Sequence, residues 1–276
     1  MARVTVDKEN HLPVDLHYED RGTGRPVVLI HGWPLSGGQW EAQVPALLAA
    51  GYRVVTYDRR GFGASAKPRG GYDFDTLAAD LHTLVEHLDL RDACLVGFSQ
   101  GAAESVRYLT RFGNSRVSAV ALVSAAGPYL RRTPSNPGGF LTEAKVAEYV
   151  ACLTDDRVRF IHRFVTKFFD DGDVLAKQPM RSRIVALAAT ASLQGVVRGM
   201  AASAATDFRD DLRAVTVPTL VVHGAHDAVL PPEHTGVPVA EAVAGSRLVL
   251  LPGAPHGLNV TRAAEFNREL LAFLEG

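Results

Sequence analysis

The chain has 276 residues, of which 47% are hydrophobic and 21% charged, with a formal net charge of −1. That balance excludes a disordered or fibrous chain. It also argues against a nucleic-acid or membrane-surface partner, since both favour a basic face.

The length fits one large α/β domain, or one domain carrying an insertion. Two cysteines, Cys94 and Cys152, are too few for a disulfide framework, and no Cys-x-x-Cys metal pair exists. The opening "MARVTVDKENHLPVD" lacks the apolar stretch of a signal peptide. No apolar run approaches the roughly 18 residues of a membrane span. A reducing cytoplasm is the expected location.

In chain order, "ARVTV" and "DLHYEDR" alternate with period two and predict an opening pair of strands. Short apolar runs follow: "PVVLIHG", "YRVVTYD", "ACLVGFS", "VSAVALVSA", "TLVVHG" and "RLVLLPG". Their Val, Ile and Leu content fits strands buried on both faces of a parallel sheet. Cys94, inside one of them, reads as a small core residue. Between the runs lie amphipathic stretches. In "FDTLAADLHTLVEHLDL", Leu77, Leu81, Leu84, Val85 and Leu88 share a helical face. "GAAESVRYLTRFG" reads as a helix ending at Gly113. "RAAEFNRELLAFLEG" places Phe266, Leu270, Leu271 and Phe273 on an apolar stripe. Strand and helix in alternation predict a doubly wound α/β sheet.

The alternation stops after "VSAAGPYL". "TDDRVRFIHRFVTKFF" predicts a helix capped by Thr154, with Val158, Ile161, Val165 and Phe168 on one face. "RIVALAATASLQGVVRGMAASAA" predicts another. A structureless loop of about eighty residues would be improbable. The expected organisation is therefore a core of residues 1–127 and 209–276, with a helical cap over 128–208.

"LVGFSQGAAES" carries the chemistry. Gly-x-Ser-x-Gly alone is a weak signal, met by chance in very roughly one chain in ten of this length. Here it follows a buried strand and opens a helix, the setting that exposes a serine at the carboxyl end of a sheet. Ser99 is thus the candidate nucleophile. A serine hydroxyl needs a base to take its proton and a third group to orient that base. Asp227 follows the run "TLVVHG", and His256 follows "RLVLLPG", the order acid then histidine. The plain alternatives are a turn cap for Asp227 and a surface loop for His256. His223, His226 and Asp227 also loosely suggest a metal site, with no further ligand cluster to complete it. The developing oxyanion needs two backbone N–H donors. Gln100, opening the helix, supplies one, and Trp33 in "LIHGWPLSG" the other. His31 reads as structural, bonding within its loop. His11, His17, His82, His87, His162 and His234 read as solvent-facing or structural.

The set "HGWPLSG…W", "YDRRGFGAS", "GFSQG", "TLVVHGAHD…P" and "APHGLN" resembles the α/β-hydrolase superfamily. More narrowly, it looks like the cofactor-free bacterial haloperoxidases, also called non-haem chloroperoxidases, perhydrolases or aryl esterases. The likeness covers nearly the whole chain and is weakest over about 140–200. It implies an α/β-hydrolase fold with a mostly parallel eight-stranded sheet and a helical cap. It implies a Ser99–Asp227–His256 triad, an oxyanion hole at Trp33 and Gln100, and no metal, haem or other cofactor. The family pattern after the strand is Gly-Phe-Ser-Met-Gly-Gly-Gly-Glu; here Gln100 replaces a methionine, and Ala102 and Ala103 replace glycines.

The expected activity is hydrolysis of a small carboxylic ester or lactone through an acyl-enzyme, with perhydrolysis as a companion. The alternatives are an amide, lactam or carbon–carbon bond hydrolase, or a non-catalytic small-molecule receptor. Self-association is left open. Pro34 restricts Trp33 to extended backbone, which either only shapes the turn or also directs the Trp33 carbonyl as an acceptor for incoming hydrogen peroxide.

Overall fold

Six short, largely aliphatic runs form the parallel body of a sheet in a computed structural model, which describes residues 2–169 and 177–276. They are β3 (Pro26–Ile30), β4 (Arg53–Tyr57), β5 (Ala93–Phe98), β6 (Val117–Val123), β7 (Thr219–Gly224) and β8 (Arg247–Leu251). The opening segments pair as an antiparallel hairpin, β1 (Ala2–Glu9) and β2 (Leu12–Arg21). Among the described residues the sheet has eight strands in the order β1-β2-β4-β3-β5-β6-β7-β8. β2 meets β4 antiparallel, and every later pairing is parallel.

Five of the six parallel strands are largely buried, as their composition demands. β8 is different. It is an edge strand, and Leu248 and Leu250 are exposed on it. Its apolar run looked central only because sequence does not reveal position in a sheet.

Alternate side chains of β5 feed two cores. Leu95 points to one face, while Cys94, Val96 and Phe98 point to the other. The first face is covered by α2 (Phe74–His87), α3 (Gln100–Phe112), α8 (Arg209–Arg213) and α9 (Gly236–Ala242). The second is covered by α1 (Val44–Ala49), α10 (Leu258–Thr261) and α11 (Ala263–Glu275). The Asp73 carboxylate accepts from the Thr76 N–H to start α2. Gly113, at φ +72, ends α3 as expected.

Among the described residues five helices lie between β6 and β7: α4 (Glu143–Asp155), α5 (Arg157–Phe169), α6 (Gln178–Ala189), α7 (Leu193–Ala205) and, last, α8. Residues 170–176, inside the segment expected to be a cap, lie outside the described residues. Three local expectations change. Thr154 sits inside α4, whose buried Leu153 carries it past the threonine; Asp156 instead receives the Arg159 N–H at the start of α5. Val158 is exposed, although Ile161, Val165 and Phe168 are buried. The long helix expected over 183–205 is two helices meeting at 97°, because Ser192 caps a new start by accepting the Gly195 N–H. Ile161, Val165, Phe168 and Phe169 of α5 join the second core of the sheet. Among the described residues no single helix is long and apolar enough to cross a membrane.

Candidate active site

Ser99 lies between the end of β5 and the first residue of α3, with φ +54 and ψ −114. Few non-glycine residues adopt positive φ, and here the neighbours enforce it. The Ser99 N–H donates to the Val123 carbonyl at 2.8 Å, and its carbonyl accepts from Ala102 and Ala126. The flanking glycines have a steric reason. A Cβ on Gly97 would sit 2.3 Å from the Gly101 carbonyl oxygen, and one on Gly101 would sit 2.3 Å from that of Ile30. The turn therefore closes only with glycine at both positions.

Asp227 and His256 follow β7 and β8 and are both buried. Asp227 Oδ2 lies 2.7 Å from His256 Nδ1. Asp227 Oδ1 accepts the backbone N–H groups of Val229 and Leu230 at 2.9 and 2.7 Å. The two readings of this residue are thus one geometry: one oxygen caps the turn and the other holds the histidine. Burial would raise the Asp227 pKa. The charge of His256 and hydrogen bonds from His223 and His256 outweigh it and hold the carboxyl well below the usual range.

The imidazole of His256 is fixed from several sides. Its backbone carbonyl accepts the Ser124 hydroxyl at 3.0 Å. Its ring packs against Phe98 and Phe168, with centroids 5.0 and 5.7 Å away. Nε2 makes no hydrogen bond. The bond from Ser99 to His256 is not formed in this structure, and such contacts often tighten only around a substrate.

Among the described residues, the backbone N–H groups of Trp33 and Gln100 donate to no other group. Gln100 opens α3, where the helix dipole favours negative charge. The Trp33 side chain is anchored by Nε1, which donates to the Val196 carbonyl of α7 at 2.9 Å. His31 behaves as expected: its Nε2 accepts the Arg59 N–H, and its Nδ1 faces the Gly32 carbonyl.

Sequence reasoning missed three features. His223 places Nε2 3.1 Å from Asp227 Oδ2, so a second imidazole holds the carboxylate. Its four-residue spacing from Asp227 was the available signal. His226, weighed with it as a metal ligand, is exposed. The second feature is Arg59, fully buried, whose guanidinium donates to the Gln100 side-chain oxygen at 2.8 Å and pairs with buried Glu104. Gln100 Nε2 then donates to Gly199 O and Ser203 Oγ of α7, both at 3.0 Å. The amide that replaces the family methionine therefore ties the serine turn to the helical insertion. The third is a cavity of about 310 Å³ bordered by Ser99, Trp33 and Gln100, lined by α4, α5 and α7 and by apolar residues of the loops that follow β6 and β7.

The model of the alpha/beta hydrolase fold family matches residues 25–263. A non-heme chloroperoxidase of Kitasatospora aureofaciens is 40% identical over 95% of this chain and 96% of its own. A bifunctional esterase/perhydrolase of Acinetobacter calcoaceticus is 35% identical over 95% and 96%. The crystal structure of a bromoperoxidase from Bacillus anthracis superimposes with a TM-score of 0.95 at 45% identity, covering 100% of this chain and 99% of that one. Likeness of this extent leaves no part of the sheet or of the insertion unaccounted for, and the chain belongs to the α/β-hydrolase fold family, among its non-heme haloperoxidase and perhydrolase members.

Proposed function

We propose that the protein is a serine hydrolase that cleaves small carboxylic esters or lactones through an acyl-Ser99 intermediate and also passes the acyl group to hydrogen peroxide. The observation that carries this reading is the buried pair of Asp227 and His256, 2.7 Å apart, beside a serine held at positive φ on the cavity wall. In the proposed cycle His256 Nε2 removes the Ser99 proton, and Oγ attacks the ester carbonyl. Asp227 keeps the histidine proton on Nδ1 and stabilises the imidazolium. The Trp33 and Gln100 amides take the oxyanion. His256 then returns the proton to the leaving alcohol. Water or peroxide attacks the acyl-enzyme, yielding acid or peracid and restoring Ser99. Residues 128–208 act as a cap that shapes the substrate site. A cytoplasmic setting belongs to the same reading.

4-Nitrophenyl acetate tests it. The wild type turns the ester over repeatedly, and Ser99→Ala lowers kcat on the order of 10³-fold or more. A single stoichiometric binding event without turnover would favour the receptor reading. Chelators leave the rate unchanged; abolition by EDTA would revive a metal site at His223 and His226. Peracetic acid formed from acetate and hydrogen peroxide, compared between wild type and Pro34→Ala, reports whether the Trp33–Pro34 segment selects peroxide over water.

A further inference from the structure

The cavity wall is not uniformly apolar. Phe160, Arg163, Phe164 and Lys167 of α5 all line it. Their spacings of three and four residues place them on one helical face. Phe160 and Phe164 meet the Trp33 ring edge-on, with centroids 6.0 and 5.6 Å away. This face therefore starts at the oxyanion loop with two aromatic rings and carries two cations that are open to solvent.

α4 adds Lys145 and Glu148 to the same wall. These two satisfy each other, with Lys145 Nζ 3.0 and 2.9 Å from the Glu148 oxygens. Arg163 and Lys167 form no ion pair among the described residues. The wall thus holds three cations against one carboxylate, which is hydrogen-bonded by Lys145 and also feels the charges of Arg163 and Lys167, so two positive charges remain in excess. Cations at the mouth of a low-dielectric cleft concentrate oppositely charged ligands. An arginine fork also matches a carboxylate in two parallel hydrogen bonds.

We propose that this site takes esters, lactones or acyl donors bearing a second, anionic carboxylate, which docks on Arg163 and Lys167 while the apolar part lies on Phe160 and Phe164. The proposal rests on the serine-hydrolase reading and deepens it.

Two pairs, each an acid and its methyl ester, test it. Mono-(4-nitrophenyl) glutarate against its methyl ester places the charge on the acyl side. 4-Acetoxybenzoate against methyl 4-acetoxybenzoate places it on the leaving group. In at least one pair the acid has the higher kcat/KM, on the order of tenfold, the size two exposed ion contacts produce. About 0.5 M salt removes most of that preference in the wild type. Arg163→Gln with Lys167→Gln brings the acid-to-ester ratio towards one, chiefly through KM. Arg163→Glu with Lys167→Glu inverts it. A ratio at or below one in both pairs overturns the proposal, as does a preference indifferent to salt or unchanged in the double variants. The salt measurement needs no variant to fold. No turnover of any of these esters or of 4-nitrophenyl acetate would instead sink the hydrolase reading, and this proposal with it.

Discussion

Ser99 carries a backbone cost as well as a hydroxyl. At φ +54 and ψ −114 it occupies a region that non-glycine residues enter at about 1–3 kcal/mol. Alanine keeps that strain, whereas glycine relieves it and gives back part of the gain in unfolded-state entropy. Ser99→Gly is therefore more stable than Ser99→Ala by about 1 kcal/mol, and denaturant unfolding of the two variants measures the difference. Equal stabilities would mean the turn is relaxed. The candidate site was legible because its signals are local. Ser99 stands between two glycines after an apolar run, and Asp227 and His256 each follow another run in the expected order. Arg59 was not legible, because its partners Gln100 and Glu104 lie more than 40 residues away and only folding brings them together.

At the level of elements, the joint between α3 and α7 depends on one side chain. Gln100 accepts from Arg59 and donates to Gly199 and Ser203. Methionine at this position fills similar space but leaves a buried guanidinium N–H and a helix carbonyl without that partner. Gln100→Met lowers unfolding stability by about 1–3 kcal/mol. The same change in Gln100→Leu with no further loss would confirm that the amide, not the shape, matters; an unaffected midpoint for both would refute it. The sheet elements were readable from composition, since buried parallel strands need continuous aliphatic runs. The insertion was readable as helical but not in its breaks. In "LTDDR" the sequence points to Thr154 as the cap, but burial of Leu153 against the fold carries α4 past it and leaves Asp156 to receive the Arg159 N–H. Ser192 interrupts a run that has helical composition throughout, and only its bond to Gly195 marks the new start.

Across the molecule, a buried polar chain runs from Tyr57 at the end of β4 through Glu104 and Arg59 to His31 and Gln100. Burial pushes the Glu104 carboxyl up to about 7, against the attraction of Arg59 and the Tyr57 hydrogen bond. Burial, then the Arg59 charge, holds the His31 imidazole well below its ordinary value, so it stays neutral. Between the ordinary glutamate value and about 7, the folded protein holds a Glu104 proton that the unfolded chain has lost. Stability from this group is thus full below that window and falls as pH rises through it, by at most about 3 kcal/mol. The melting temperature of the wild type, relative to Glu104→Gln, declines from pH 5 to pH 8; a flat difference would mean Glu104 is ionised throughout. The insertion enters this scale through Phe168. Its carbonyl accepts the Gly257 N–H at 2.9 Å, and its ring meets His256. A Cβ on Gly257 would lie 2.1 Å from that ring. For protein engineering and for divergence alike, this makes the insertion an unequal module. The face of α4 that lines the cavity can be exchanged to retune what enters it. The last turn of α5 is inherited with the histidine loop, and a chimaera joined before Phe168 receives new specificity without a seated base.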